Sequence, residues 1–169
     1  MMTRSAIALA FAGMILATVV GCGGTPNGAG SPTELGKQII ANCAQATEPD
    51  VSDFESLMPS LSLLEHVPYD SLEPNVVRME PDPAADAQRI REAWQVVLDL
   101  LITEDALVGV TMGGEPQLMP EREGRPREAS LSFSFGDGAG TFHVAAAQVG
   151  GRWYVAGARI GELSTEAGF

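Results

Sequence analysis

The sequence predicts an α+β domain in which about three N-terminal helices pack on one face of a C-terminal antiparallel sheet of about four strands. Two observations carry this expectation. Apolar residues recur at helical spacing up to about residue 106 and at alternate positions after it, so the period changes from 3.6 to 2 within one chain. The alternating runs are separated by Asp137-Gly138 and Gly150-Gly151, short turn sequences that fold neighbouring strands back antiparallel. Helices first and a meander last is the order of a layered α+β fold.

Residues 1–21 combine a cationic start at Arg4, an apolar run from Ala6 to Val20 and small residues ahead of a cysteine, the build of a secretion signal. The run is shorter than the ~20 residues a helix needs to cross hydrocarbon, and no basic cluster follows to stop transfer. Val19-Val20-Gly21-Cys22 resembles the lipobox of bacterial lipoproteins. That resemblance implies a diacylglyceryl group on the Cys22 thiol, cleavage before Cys22 and, often, acylation of the new amine; an ordinary cleaved signal is the alternative. The implied location is a bacterial cell envelope, with the domain outside the cytoplasm and the membrane as the partner of the lipid. Two or three chains, at ~0.8 kcal/mol per buried CH₂, anchor stably where one chain binds only marginally. Residues 22–31, rich in Gly, Pro, Asn and Ser, read as a flexible tether that buries nothing.

The domain is expected over 32–163, with 164–169 as a tail. Ser31-Pro32-Thr33-Glu34 joins a serine N-cap, proline at the first helical position and glutamate at the third. A helix is expected from there to about Ala46, with Leu35, Ile39, Ile40 and Cys43 as its apolar face. Cys43 falls in that stripe as a small buried hydrophobe. Ser52-Asp53-Phe54-Glu55 predicts a second capping box and a short helix with Phe54, Leu57, Met58 and Leu61 inward, ended or kinked at Pro59. Residues 66–82, with Pro68, Pro74 and Pro81, read as an irregular connection. Asp82-Pro83 starts the strongest helix, in which Ile90, Ala93, Trp94, Val97, Leu98 and Leu101 form one stripe. Burial of Trp94 and its aliphatic companions at ~1.5 to 3 kcal/mol each makes this helix the organiser of the core. Glu104 and Asp105 oppose its C-terminal dipole and place its end.

Leu107 to Met112 is expected as a strand, and 113–128 as a long loop with a minor hairpin around Gly124. Ser130 to Phe135 alternates strictly. The Asp137-Gly138 turn sets Phe133 opposite Phe142 and Leu131 opposite Val144, and Gly150-Gly151 sets Gln148 opposite Trp153 and Ala146 opposite Val155. One face then carries Leu131, Phe133, Phe135, Phe142, Val144, Trp153 and Val155 and belongs under the helices. The other carries Ser130, Ser132, Ser134, Thr141, His143, Ala145, Ala147, Tyr154, Ala156 and Ala158.

Helices followed by strands that close with Val149-Gly150-Gly151-Arg152-Trp153-Tyr154-Val155 resemble the cone-shaped fold of the nuclear transport factor and SnoaL-like superfamily. That superfamily includes isomerases, dehydratases and non-enzymatic binding modules, and its enzymes line the pocket between sheet and helices with Asp, Glu or His. In this sequence the bulky face is apolar, with Arg159 only at its end, so those roles find no matching residues.

Composition narrows function further. Ten basic against 22 acidic residues give a net charge of −12, and loss of Arg4 with the signal makes the mature chain more negative still. Such a field repels phosphate backbones, which argues against nucleic acid, and it leaves membrane attachment to the lipid. His66 and His143 lack ligand spacing, and no calcium loop or Gly-rich phosphate loop is legible, so no metal or cofactor is expected. No catalytic residue is assigned. Ser132 and His143 fall side by side, but no carboxylate alternates onto their face to orient a catalytic pair. The favoured reading is a non-catalytic, envelope-anchored binding or interaction domain; the alternative is an isomerase-like or hydrolytic enzyme using His143. The small-residue face with Ser132, His143, Tyr154 and Ala156 is the candidate surface for a homodimer or an envelope protein, since small side chains permit close approach and tyrosine suits interfaces.

Overall fold

The computed structural model describes residues 27–45, 49–65 and 82–161. The signal, Cys22, the expected connection up to residue 81 and the expected tail lie outside these residues. Helix α1 spans Pro32–Gln45. Ser31 caps it as its sequence requires, its Oγ accepting from the Glu34 N–H at 3.1 Å, while Glu34 reaches back to the Gly30 N–H at 2.7 Å. Leu35, Ile39 and Cys43 are fully buried.

The second expected helix is a 3₁₀ turn over Val51–Leu57, and its cap is Asp50, not Ser52. Asp50 accepts from the Ser52 N–H at 3.2 Å, and Asp53 accepts from the Asp50 N–H at 3.0 Å. The turn thus starts two residues earlier than expected, with the aspartate in the cap position ahead of the serine. A four-residue helix, α2 (Leu61–Leu64), follows beyond Pro59. Helix α3 covers Pro83–Thr103, with Asp82 accepting from the Ala85 N–H at 3.0 Å. Ile90, Trp94, Val97, Leu98 and Leu101 are buried. The Trp94 ring meets Phe54 at 5.0 Å and Phe142 at 6.2 Å, so one side chain joins the 3₁₀ turn, α3 and the sheet.

The sheet has five antiparallel strands: β1 (Thr111–Met112), β2 (Gln117–Leu118), β3 (Glu128–Phe135), β4 (Gly140–Val149) and β5 (Arg152–Ile160). The strand expected over 107–112 shrinks to β1. Asp105 stands at φ 50° and the Gly109 N–H bonds to the Ala106 carbonyl at 3.1 Å, so turns occupy the chain until Val110. Both β1 and β2 pair with the same edge of β3, Met112 with Phe133 and Leu118 with Ala129, and act as one interrupted outer row.

The β3–β4 register is as the turn chemistry predicts, Phe133 opposite Phe142 and Leu131 opposite Val144. The first half of the β4–β5 register agrees too, with Gln148 opposite Trp153 and Ala146 opposite Val155. Beyond that point the ladder slips by one: Ala145 pairs with Gly157, leaving Ala156 as the extra residue of a β-bulge. A bulge reverses side-chain parity for the rest of its strand. Ala158 therefore sits opposite Val144 and packs against the core, instead of on the small-residue face where strict alternation put it. Arg159 lands opposite His143. All seven bulky residues of the other face are buried in one core with α1, the 3₁₀ turn and α3.

Residues 27–31, expected to belong to a tether that buries nothing, are docked. Ala29 is fully buried and exchanges two backbone hydrogen bonds with Trp153, at 2.9 and 2.8 Å. Any tether ends before Asn27.

Candidate functional site

Ser132 and His143 face each other across β3 and β4, with Ser132 Oγ 3.0 Å from His143 Nδ1. The adjacency expected from the register is present. His143 is 7% exposed, and its Nε2 has no hydrogen-bond partner among the described residues. Burial first, and the Arg159 charge second, push its pKa below the ordinary 6.5, while the backbone at Gly161 acts the other way. The ring is therefore a neutral imidazole at pH 7. If Ser132 donates to Nδ1, Nε2 carries the proton and is a donor; the reverse tautomer makes Nε2 an acceptor.

Around this imidazole the N-terminal half of α3 and the second half of β5 leave a cleft of about 210 Å³. Asp86 and Arg89 enter it from α3, His143 from β4 and Arg159 from β5, over a floor of Ala145, Ala156 and Gly157. The bulge makes the cleft: without the extra Ala156, alternation would turn Arg159 away from His143. Helix periodicity places Asp86 one turn before Ile90, at the border between the core stripe and the surface, where it is 5% exposed. A buried carboxylate requires a partner, and Arg89, one turn further on, bonds to it. Two guanidiniums, one carboxylate and a neutral imidazole thus converge on a surface of alanine and glycine.

Asp86, Arg89 and Arg159 carry no sequence pattern that marks them as site residues. The one legible signal was Gly157, since an isolated glycine inside a strand often marks a bulge. Ser132 does not line the cleft, so its hydroxyl positions the imidazole and is not presented to an occupant. Of the four residues expected to form an open partner face, His143 and Tyr154 are already buried by the chain itself, and Ser132 and Ala156 are half-buried. Tyr154 uses its hydroxyl on the Asn27 carbonyl, 3.1 Å away.

Among the described residues no group of three or more His, Cys, Asp or Glu side chains could hold a metal, and no helix is long and apolar enough to cross a membrane. No protein-family model matches the chain, and no curated protein or solved structure matches it.

Proposed function

We propose that this chain is a lipid-anchored protein of a bacterial cell envelope whose domain binds, without turning over, a small ligand carrying an acidic group in the cleft between α3 and β5. The observation that carries the binding reading is the convergence of Asp86, Arg89, His143 and Arg159 on one concave, small-residue surface. Concave sites with a few placed polar groups are where small ligands bind. The cleft is smaller than the ~300 Å³ at which drug-sized sites begin, so the ligand is small. Among the lining residues the guanidiniums of Arg89 and Arg159 outnumber the carboxylate of Asp86, and that excess of positive charge favours an anionic group. Envelope attachment rests on the lipobox-like Val19-Val20-Gly21-Cys22. The cone-shaped arrangement belongs to the same proposal, with the α+β layering and a cleft between helix and sheet in its support.

The test is NMR of the mature, unlipidated chain titrated with acetate, glycolate, succinate and benzoate. At least one acid is expected to shift the His143 and Ala156 resonances, and Arg159→Gln to weaken that shift. No shift with any acid, or shifts indifferent to Arg159→Gln, would refute the binding reading.

A second reading, an isomerase-like or hydrolytic enzyme, is favoured by one observation: a positioned, neutral His143 shares the cleft with a carboxylate. Its test is cleavage of p-nitrophenyl acetate by the wild type and by His143→Gln, where equal rates exclude a catalytic histidine in that reaction.

A further inference from the structure

We propose that the end of the domain formed by Asn27, the Gly150-Gly151 turn and α2 rests on the lipid bilayer, held there by a tether too short to let the domain turn over; this rests on the Cys22 lipidation proposed above. Four residues, 23–26, separate Cys22 from Asn27. Even fully extended, that connection spans roughly 17 Å.

From Asn27 onward the chain is fixed to the start of β5. Ala29 pairs with Trp153, and the Gly28 N–H donates to the Ser56 carbonyl at 2.7 Å. Arg152 Nε donates to the carbonyls of Asn27 at 2.9 Å and Gly28 at 3.2 Å, and Arg152 Nη2 donates to Gly28 as well. Gly28 stands at φ 76° under the Tyr154 ring, where a Cβ would lie 2.6 Å from ring carbons, so only glycine lets the chain approach this closely.

The anchor point is thus the β4–β5 turn end of the sheet. The ten residues of β4 carry the chain about 33 Å to the opposite, β3–β4 end. With that opposite end on the lipid, Asn27 would stand about 30 Å above the surface, beyond the roughly 17 Å that the tether spans. The near end suits a lipid surface better than the chain's net charge of −12 would suggest. It presents the uncharged Asn27 and Gly150-Gly151, Leu63 beside Gly150 and the 52% exposed Leu61, with Glu65 as the acid that ends α2. Arg159 lies seven residues beyond Arg152, about 23 Å along β5, so the cleft is held away from the bilayer.

The experiment uses the full lipidated protein with a bimane label at Leu61→Cys or Ala139→Cys, Cys43 being fully buried. The labelled proteins are reconstituted into phosphatidylcholine vesicles that contain a headgroup-nitroxide lipid. Quenching is expected to be several-fold stronger at position 61 than at 139; equal quenching overturns the proposal. Insertion of about twelve Gly and Ser residues after Gly24 is expected to erase the difference, and a difference that survives the insertion overturns the short tether as its cause. A mature chain whose mass lacks acyl chains and which does not float with vesicles refutes the Cys22 reading itself, and the resting surface with it. Acylated, floating protein with equal quenching refutes the orientation alone.

Discussion

His143 is closed in on Ser132 and shares its cleft with Arg159, so its imidazolium is disfavoured in the folded domain but not in the unfolded chain. Below pH 6.5 the unfolded chain takes up this proton while the folded domain still refuses it. Stability present at neutral pH is therefore lost as pH falls from 6.5 through the lower folded value. Arg159→Gln removes one of the two causes and is expected to raise the His143 pKa in an NMR titration of the ring; an unchanged pKa would mean that Arg159 does not act on it. Cys43 sets a limb on the alkaline side. Burial pushes its thiol up from 9.0 to about 11, so between those values the unfolded chain ionises first and stability falls as pH rises. The loss is on the order of 2 to 3 kcal/mol. Urea melts across that window are expected to show a flatter limb for Cys43→Ala; parallel slopes would show that the thiol is not the group titrating.

At the scale of elements, α3 holds the domain together through Trp94, which lies between Phe54 and Phe142 in a core where Phe133 and Phe142 stack at 4.8 Å. Trp94→Ala is expected to cost ~3 to 5 kcal/mol in a denaturant melt, and a loss under ~1 kcal/mol would contradict the observed packing. Trp94→Phe should cost less than Trp94→Ala, because it keeps the ring and removes a buried indole N–H that has no partner among the described residues. The Ala156 bulge is the element that builds the cleft. Ala156→Arg is expected to fill that cleft and abolish the acid-induced NMR shifts while the domain stays folded by circular dichroism; shifts that persist would place the ligand elsewhere. The β3–β4 register, the half of the β4–β5 register nearest its turn and the cap of α1 were legible because each depends on neighbours within a few residues. The 3₁₀ turn was not, because Asp50 takes the cap position two residues ahead of Ser52. The short β1 was not, because apolar character in Leu107 to Val110 gave no sign of the turn that Asp105 begins.

For the whole molecule, the prediction with the widest consequence is that Cys22→Ser prevents stable membrane attachment, since a mature chain this acidic offers an anionic bilayer little else to hold. Detergent-phase partitioning and the mass of the mature protein test it; an unchanged membrane fraction would refute the lipid anchor. What the sequence determined by itself was local and periodic. It set the α+β order, the α1 and α3 stripes, the β3–β4 register, the bulky face that becomes the core and the adjacency of Ser132 and His143. Each follows from spacing, caps or turn chemistry that acts over a few residues. The tertiary structure alone decided the docking of Ala29 beside Trp153, more than a hundred positions away, and the meeting of Asp86 and Arg89 with His143 and Arg159. No short-range pattern encodes those contacts. One unpaired residue in β5 reversed the facing of everything after it, and only the packing of α3 against that strand determined which side chains would then share a cleft.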